Sequence, residues 1–329
     1  MAFNNPGLSE LVTSTLRNQS GKMADNVTKN NGLLKRLKAR GKVKPVSGGR
    51  SIVQEMQYAE NSTYKRYSGY EQLNVAPSDV ITAAEFNYAQ AAVAVSISGL
   101  EELQNSGEEA ILDLLESRIE NADTTLTNNL ALDCYSDGTA DGGRQIGGLQ
   151  LLIADNPTTG VIGGIDRSTT AGTFYRNQRF RSVTDGGTAA TTANIQQYMN
   201  RLYLSLVRGA DKPDLIVCDN NYYILYLQSL QTLQRITDKD SEAEIGFGAL
   251  KYMNSDVIFD GGIGGGAPAN KMYFLNTNYI FFRPHKDRNC VPIGSDRFAV
   301  NQDSMVKLVG FAGNMTLSNA SLQGVLNGN

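Results

Sequence analysis

The strongest pattern in the chain runs from Gly107 to Tyr135. Ile111, Leu115, Ile119, Ala122, Leu126 and Leu130 recur at intervals of three or four, which gives a helix one apolar face. Glu108, Glu109 and Asp113 crowd its first turns, where negative charge suits the helix dipole. Asp137-Gly138 reads as its stop. At about 1.5 Å per residue this helix is roughly 40 Å long, a beam more than an ordinary domain helix.

Upstream, the pattern changes twice. Leu8, Leu11, Val12 and Leu16, and again Leu33, Leu34 and Leu37, fall at near-helical spacing on either side of Asn30-Asn31-Gly32. Residues 1–45 therefore form a helical arm with too few apolar positions to fold alone. From Lys44 to Gly99 the pattern is extended. Ser51–Tyr58 is one strand. Asp79–Ile97 is another, with Val93, Val95 and Ile97 alternating with small neighbours. The polar, tyrosine-rich segment between them predicts a protruding hairpin with no core of its own, which needs a neighbour to lie upon.

Downstream, Asn194–Val207 is amphipathic, Pro213–Cys218 is a buried strand and Asn220–Gln234 is a further helix, together an α/β lobe. Asp256–Phe259 and Met272–Leu275 are strands flanking a glycine loop. The last third carries strand pairs around Met305–Phe311 and Met315–Leu317. The fold class is α+β.

Charge changes this picture at one place. The 329 residues carry a net charge of −3, yet residues 11–50 hold ten Lys or Arg against Asp25 alone. That segment is +9 and the remainder −12. A basic arm on an acidic body points to a polyanion or an acidic partner surface, with Lys35, Arg36, Lys38, Arg40, Lys42 and Lys44 as the candidate residues. Apolar residues at 41% give ample core. No apolar run is long enough to span a bilayer and no secretory signal opens the chain, so no membrane partner and a cytoplasmic site of synthesis are expected.

The chemistry search turns up no site. Cys134, Cys218 and Cys290 lie far apart without metal spacing and read as free buried thiols. His285 is the single histidine, so any histidine-dependent triad or two-histidine metal site has to run through it, and no GxSxG supplies a nucleophile. The loop Asp260–Pro268 fails the dinucleotide fingerprint, because Ala267 stands at its sixth position and a strand follows; it reads as a flexible linker. Neither Asp133, Asp137 and Asp141 nor Asp238, Asp240 and Glu242 match a calcium loop. No cofactor, metal or catalytic residue is assigned, and the chain reads as structural.

The order of parts resembles the major capsid proteins of tailed bacteriophages with the Hong Kong 97-like fold. Local sequence carries the likeness: Asp137–Leu149 with its Gly-Gly-Leu turn, Pro213–Asn220 followed by a tyrosine-rich helix, Tyr273–Tyr279 with Arg283–Pro292, and the closing Ser318–Gln323. The resemblance implies an N-arm at 1–45, an E-loop hairpin at 46–98 and a P-domain spine helix at 99–138. It further implies an A-domain at 139–280 and C-terminal strands returning to the P-domain at 281–329. It implies self-association as pentamers and hexamers into an icosahedral shell, assembled in the bacterial host cytoplasm as a procapsid and matured around double-stranded DNA. Portal protein and separate scaffolding or decoration proteins are implied partners. Tyr64, Lys65, Arg66, Tyr67, Tyr70 and Glu71 at the hairpin tip are the expected self-assembly contacts, since aromatic residues with arginine make typical interface anchors. The basic arm is expected to face the interior. An encapsulin-type nanocompartment is the nearest alternative; a small-ligand α/β enzyme and a monomeric nucleic-acid binder stand further off.

Overall fold

The computed structural model describes residues 32–104, 114–231, 250–261, 265–294, 297–298 and 303–328. The arm before residue 32, the first turns of the long helix with Glu108, Glu109, Ile111 and Asp113, and the acids Asp238, Asp240 and Glu242 lie outside them. In chain order, helix α1 (Gly32–Ala39) is followed by strands β1 (Ile52–Gln57), β2 (Ile81–Phe86) and β3 (Ala89–Ser98), then helices α2 (Gly99–Gln104) and α3 (Leu114–Asp133). Short strands β4 (Val161–Ile162) and β5 (Ile165–Asp166) precede β6 (Gln178–Arg181) and α4 (Ile195–Ser205). Then come β7 (Leu215–Cys218), α5 (Asn220–Gln231), β8 (Leu250–Tyr252), β9 (Ser255–Phe259) and β10 (Lys271–Leu275). The described chain closes with β11 (Ile280–Pro292), β12 (Arg297–Phe298), β13 (Ser304–Leu317) and β14 (Gly324–Asn327).

A six-stranded mixed sheet, ordered β6-β14-β10-β7-β9-β8, divides two cores. Strand residues alternate between faces, and here the alternation sorts them cleanly. Ile216, Cys218, Met272, Phe274 and Leu326 pack with Tyr198, Met199 and Leu202 of α4 and Tyr222 and Tyr226 of α5. Leu215, Val217, Tyr273, Leu275 and Val325 face the other way, into a core shared with Leu126 and Leu130 of α3 and Phe282, Phe311 and Met315 of β11 and β13. Both faces are covered, which is why β7 reads as an unbroken apolar run rather than an alternating one.

The long helix keeps its predicted face: Ala122, Leu126 and Leu130 are buried. It ends at Asp133, earlier than the Asp137-Gly138 stop, because the chain must pass close beneath its last turn. A Cβ on Gly148 would lie 2.4 Å from the Asp133 carbonyl oxygen, and Leu149 N–H donates to the Cys134 carbonyl at 2.8 Å. The Gly-Gly-Leu turn is thus a backbone-contact passage.

Three expectations need correcting. The second hairpin strand, read as Asp79–Ile97, is two strands in different sheets. β2 pairs antiparallel with β1 (Ile52↔Phe86 to Gln57↔Ile81), while β3 pairs with β13 (Ser98↔Ser304 to Ala89↔Gly313). Nor does the hairpin lack a core: Ile52, Met56, Ala84 and Phe86 are buried in the first cluster. Glu85 N–H donates to the Gly163 carbonyl at 2.9 Å in the β4–β5 turn. Finally, Met305–Phe311 and Met315–Leu317 are one continuous strand, β13, flanked by β3 on one side and by β11 and β12 on the other. The last strand, β14, leaves that sheet and enters the six-stranded one between β6 and β10.

Candidate assembly surfaces

Between β1 and β2, residues 58–80 contain no helix or strand. Local bonds shape this tip: the Asn61 side-chain oxygen accepts from Thr63 N–H at 2.9 Å and from its hydroxyl at 2.7 Å. Lys65 pairs with Glu71 at 3.0 Å. Tyr64, Tyr67, Tyr70, Leu73 and Val75 are all exposed, Tyr70 completely, and Arg66 is exposed beside them. The six predicted tip residues are all exposed in this one segment, with Lys65 and Glu71 in contact. Large apolar side chains held out on an otherwise polar loop are characteristic of a contact surface.

The basic segment is a strap across the molecule, and its cations are treated unequally. Leu33 and Leu37 of α1 are fully buried. Arg36 pairs with Asp256 of β9 at 2.5 Å, and Arg40 with Asp214 at 3.1 Å. Asp214 is held ready by Thr277, whose N–H and hydroxyl donate to it at 2.6 and 2.7 Å. The helix begins over Asp260, which accepts from Gly32 N–H and from the Tyr135 hydroxyl. Burial outweighs these donors and pushes the Asp260 carboxyl up to about 6. Lys35 and Lys38 are exposed. Beyond the helix, the chain lies parallel to β11: Lys44 N–H donates to the Phe282 carbonyl at 2.9 Å and Val46 N–H to the Pro284 carbonyl at 2.8 Å. This places Lys42 and Lys44 over the Phe281 ring, 5.5 and 5.2 Å from its centroid, with Arg283 at 5.2 Å.

Sequence reasoning named the six strap cations but missed Asp214, Asp256, Asp260, Phe281 and Arg283. The carboxylates lie far along the chain, and no local signal links them to the strap. Phe281 and Arg283 share a face by period-two spacing in β11, a stretch that was not read as a strand.

Chemistry elsewhere is structural. The half-buried His285 ring accepts from Asp287 N–H at 3.2 Å through Nδ1 and sits edge-on to Tyr88, at 6.0 Å between centroids. The Cys134 and Cys218 thiols are buried, and desolvation pushes both well up, so they are poor nucleophiles. Among the described residues no group of histidine, cysteine and acidic side chains is arranged to hold a metal, and no helix is long and apolar enough to cross a membrane. The glycine loop is not a free linker where described: a Cβ on Gly266 would lie 2.4 Å from the Tyr135 ring, and Ala267 N–H donates to the Asp260 carbonyl at 2.9 Å.

No family model matches the sequence, and no curated protein matches it. Solved structures do match. The capsid asymmetric unit of cyanophage A-1(L) superposes with a TM-score of 0.67 at 17% identity, covering 94% of this chain and 95% of that one. The holo-SrpI encapsulin complex of Synechococcus elongatus PCC 7942 gives 0.57 at 8% identity, covering 100% and 96%. The capsid of cyanophage P-SCSP1u gives 0.56 at 10% identity, covering 94% and 91%. The chain has the mixed α/β fold of tailed-phage capsid proteins, the Hong Kong 97-like fold, over nearly its whole length.

Proposed function

We propose that this chain is the major capsid protein of a tailed bacteriophage, a non-catalytic subunit that closes into the shell around the genome. The observation that carries the reading is the match to the cyanophage A-1(L) capsid across 94% of the chain, which at 0.67 exceeds the encapsulin value of 0.57. In this reading α3 is the spine helix of the P-domain, β1 and β2 carry the E-loop, and the six-stranded sheet with α4 and α5 is the A-domain. The exposed tip at Tyr64–Glu71 lies on a neighbouring subunit within pentamers and hexamers. Many modest interfaces, each closed by symmetry, then give a stable shell without any catalytic step.

The strap refines the interior role of the basic arm. Arg36 and Arg40 are committed to body carboxylates. Contact with packaged DNA or scaffold therefore falls to Lys38 and to the arm cations before residue 32. Portal and any scaffolding or decoration protein complete the partner set, and assembly takes place in the bacterial host cytoplasm.

The test is expression of the chain with its phage neighbours, followed by electron microscopy and nucleic-acid analysis of the particles. Closed icosahedral shells that fill with double-stranded DNA are expected. A chain that stays monomeric under all assembly conditions refutes the reading, and shells that load a protein cargo instead assign it to the encapsulins.

A further inference from the structure

The strap cations have different fates. Arg36 and Arg40 each meet a carboxylate of their own chain. Lys42, Lys44 and Arg283 do not: they converge on the Phe281 ring, and among the described residues none of the three has an acidic partner. Among the described residues, the groups that accept hydrogen bonds from Lys42 and Arg283 are neutral. Lys42 Nζ donates to the Asn278 carbonyl at 3.2 Å; Arg283 donates to Gln54 Oε1 at 2.6 Å and to Thr316 Oγ1 at 3.3 Å. Three like charges around one ring repel each other, and a ring quadrupole offsets only a modest part of that. Burial already pulls the Arg283 guanidinium down from its ordinary value.

We infer that the cation cluster around Phe281 is an inter-subunit docking site that receives carboxylates from a second copy of this chain. The inference rests on the capsid reading and adds a specific contact to it. The body carries −12 against +9 in residues 11–50, so each copy offers the charge its neighbour lacks. Suitable donors are on the surface: Glu55, Glu60, Asp79, Glu120 and Asp123 are exposed and, among the described residues, have no cation partner. A carboxylate fits better than a polynucleotide because the three charges gather around a single ring, each within 5.5 Å of its centroid, whereas a groove for nucleic acid spreads its cations along the backbone it tracks. Gln54 belongs to β1, so the docked carboxylate would also brace the base of the hairpin whose tip reaches a neighbour.

Two measurements test this on the full chain. Shells built from equal amounts of 15N-labelled and unlabelled subunits are treated with a water-soluble carbodiimide, digested and read by mass spectrometry. Mixed-isotope peptides joining Lys42 or Lys44 to an Asp or Glu are expected. In parallel, Lys42→Glu with Lys44→Glu should raise the concentration needed for shell closure by on the order of tenfold or more. Lys42→Arg with Lys44→Arg should leave it near wild type, and thermal melts separate an assembly defect from a folding defect. Should the reversed variant misfold, the wild-type cross-links decide alone. Wild-type shells without such links, together with a reversed variant that closes normally, overturn the inference and leave the capsid reading intact. Normal closure with reduced DNA content also overturns it and assigns the cluster to phosphate. A wild-type chain that never closes shells takes down both.

Discussion

The α/β lobe and the hairpin solve the same problem in opposite ways. In the lobe, Met272, Tyr273, Phe274 and Leu275 of β10 are all fully buried, because the sheet has a core on each face and a hydrogen-bonded strand on each side. Every apolar side chain of this strand finds its partner inside the chain. The hairpin does this only at its base, where Ile52, Met56, Ala84 and Phe86 join the first core. Past Gln57 the chain holds three tyrosines, a leucine and a valine out into water. Apolar surface left in water forgoes the free energy that burial would supply. One region closes its cores within the chain; the other leaves apolar surface that, on the proposed function, a neighbouring copy covers.

That contrast can be attacked by substitution. The largest effect is expected in the lobe: Phe274→Ala should cost about 3–5 kcal/mol in denaturant unfolding, the range for a fully buried aromatic ring. Phe86→Ala should cost about 3 kcal/mol, since the hairpin base belongs to the core; a negligible loss would mean the hairpin is independent down to its root. Asp260, between strap, long helix and lobe, gives an effect that depends on pH. Its folded value of about 6 lies above the ordinary 3.8, so the folded chain holds a proton that the unfolded chain releases. The stability this group contributes is full below about pH 4 and is lost as pH rises to about 6, then stays flat. Asp260→Asn removes the dependence, so the wild-type stability minus the variant's should fall across that window by on the order of 3 kcal/mol. A difference that is level from pH 4 to 7 would contradict the burial of this carboxyl. The smallest effect on folding, within about 0.5 kcal/mol, is expected from replacing residues 59–77 by a short Gly-Ser turn. That variant should melt cooperatively yet fail to close shells, and normal particles from it would show the tip to be an ordinary loop.

What could be read in advance followed the range of the forces involved. The spacing of Ala122, Leu126 and Leu130 and the apolar run at Leu215–Cys218 carry their structure locally, and both were legible. The division at Asn87-Tyr88 was not: the buried positions shift there from even (Ala84, Phe86) to odd (Ala89, Val95), but the alanines on both faces blur that shift, and the pairing partner changes from β1 to β13. The gap at Ala312-Gly313-Asn314 disguised β13 as two strands, although Gly310 inside the first was read through. A Cβ at Gly310 would meet Ile293 at 2.3 Å, and one at Gly313 would meet the Arg283 carbonyl at 2.6 Å, so these glycines admit a close neighbour rather than end a strand. Of the candidate surfaces, the tip was legible because its chemistry is contiguous in sequence. The fates of the strap cations were not, since they depend on Asp214, Asp256 and Phe281, which only folding brings near.

The position of β14 also sets an order of events during synthesis. β6 and β10, the strands on either side of it, are made well before it, and neither pairs with the other. Until the ribosome has passed Asn327, the sheet has an open slot, and Val325 and Leu326 are missing from the two cores. At about 5–20 residues per second, every nascent chain spends seconds with its lobe unlatched. Completion of the fold thus waits on a late insertion that seals both cores at once.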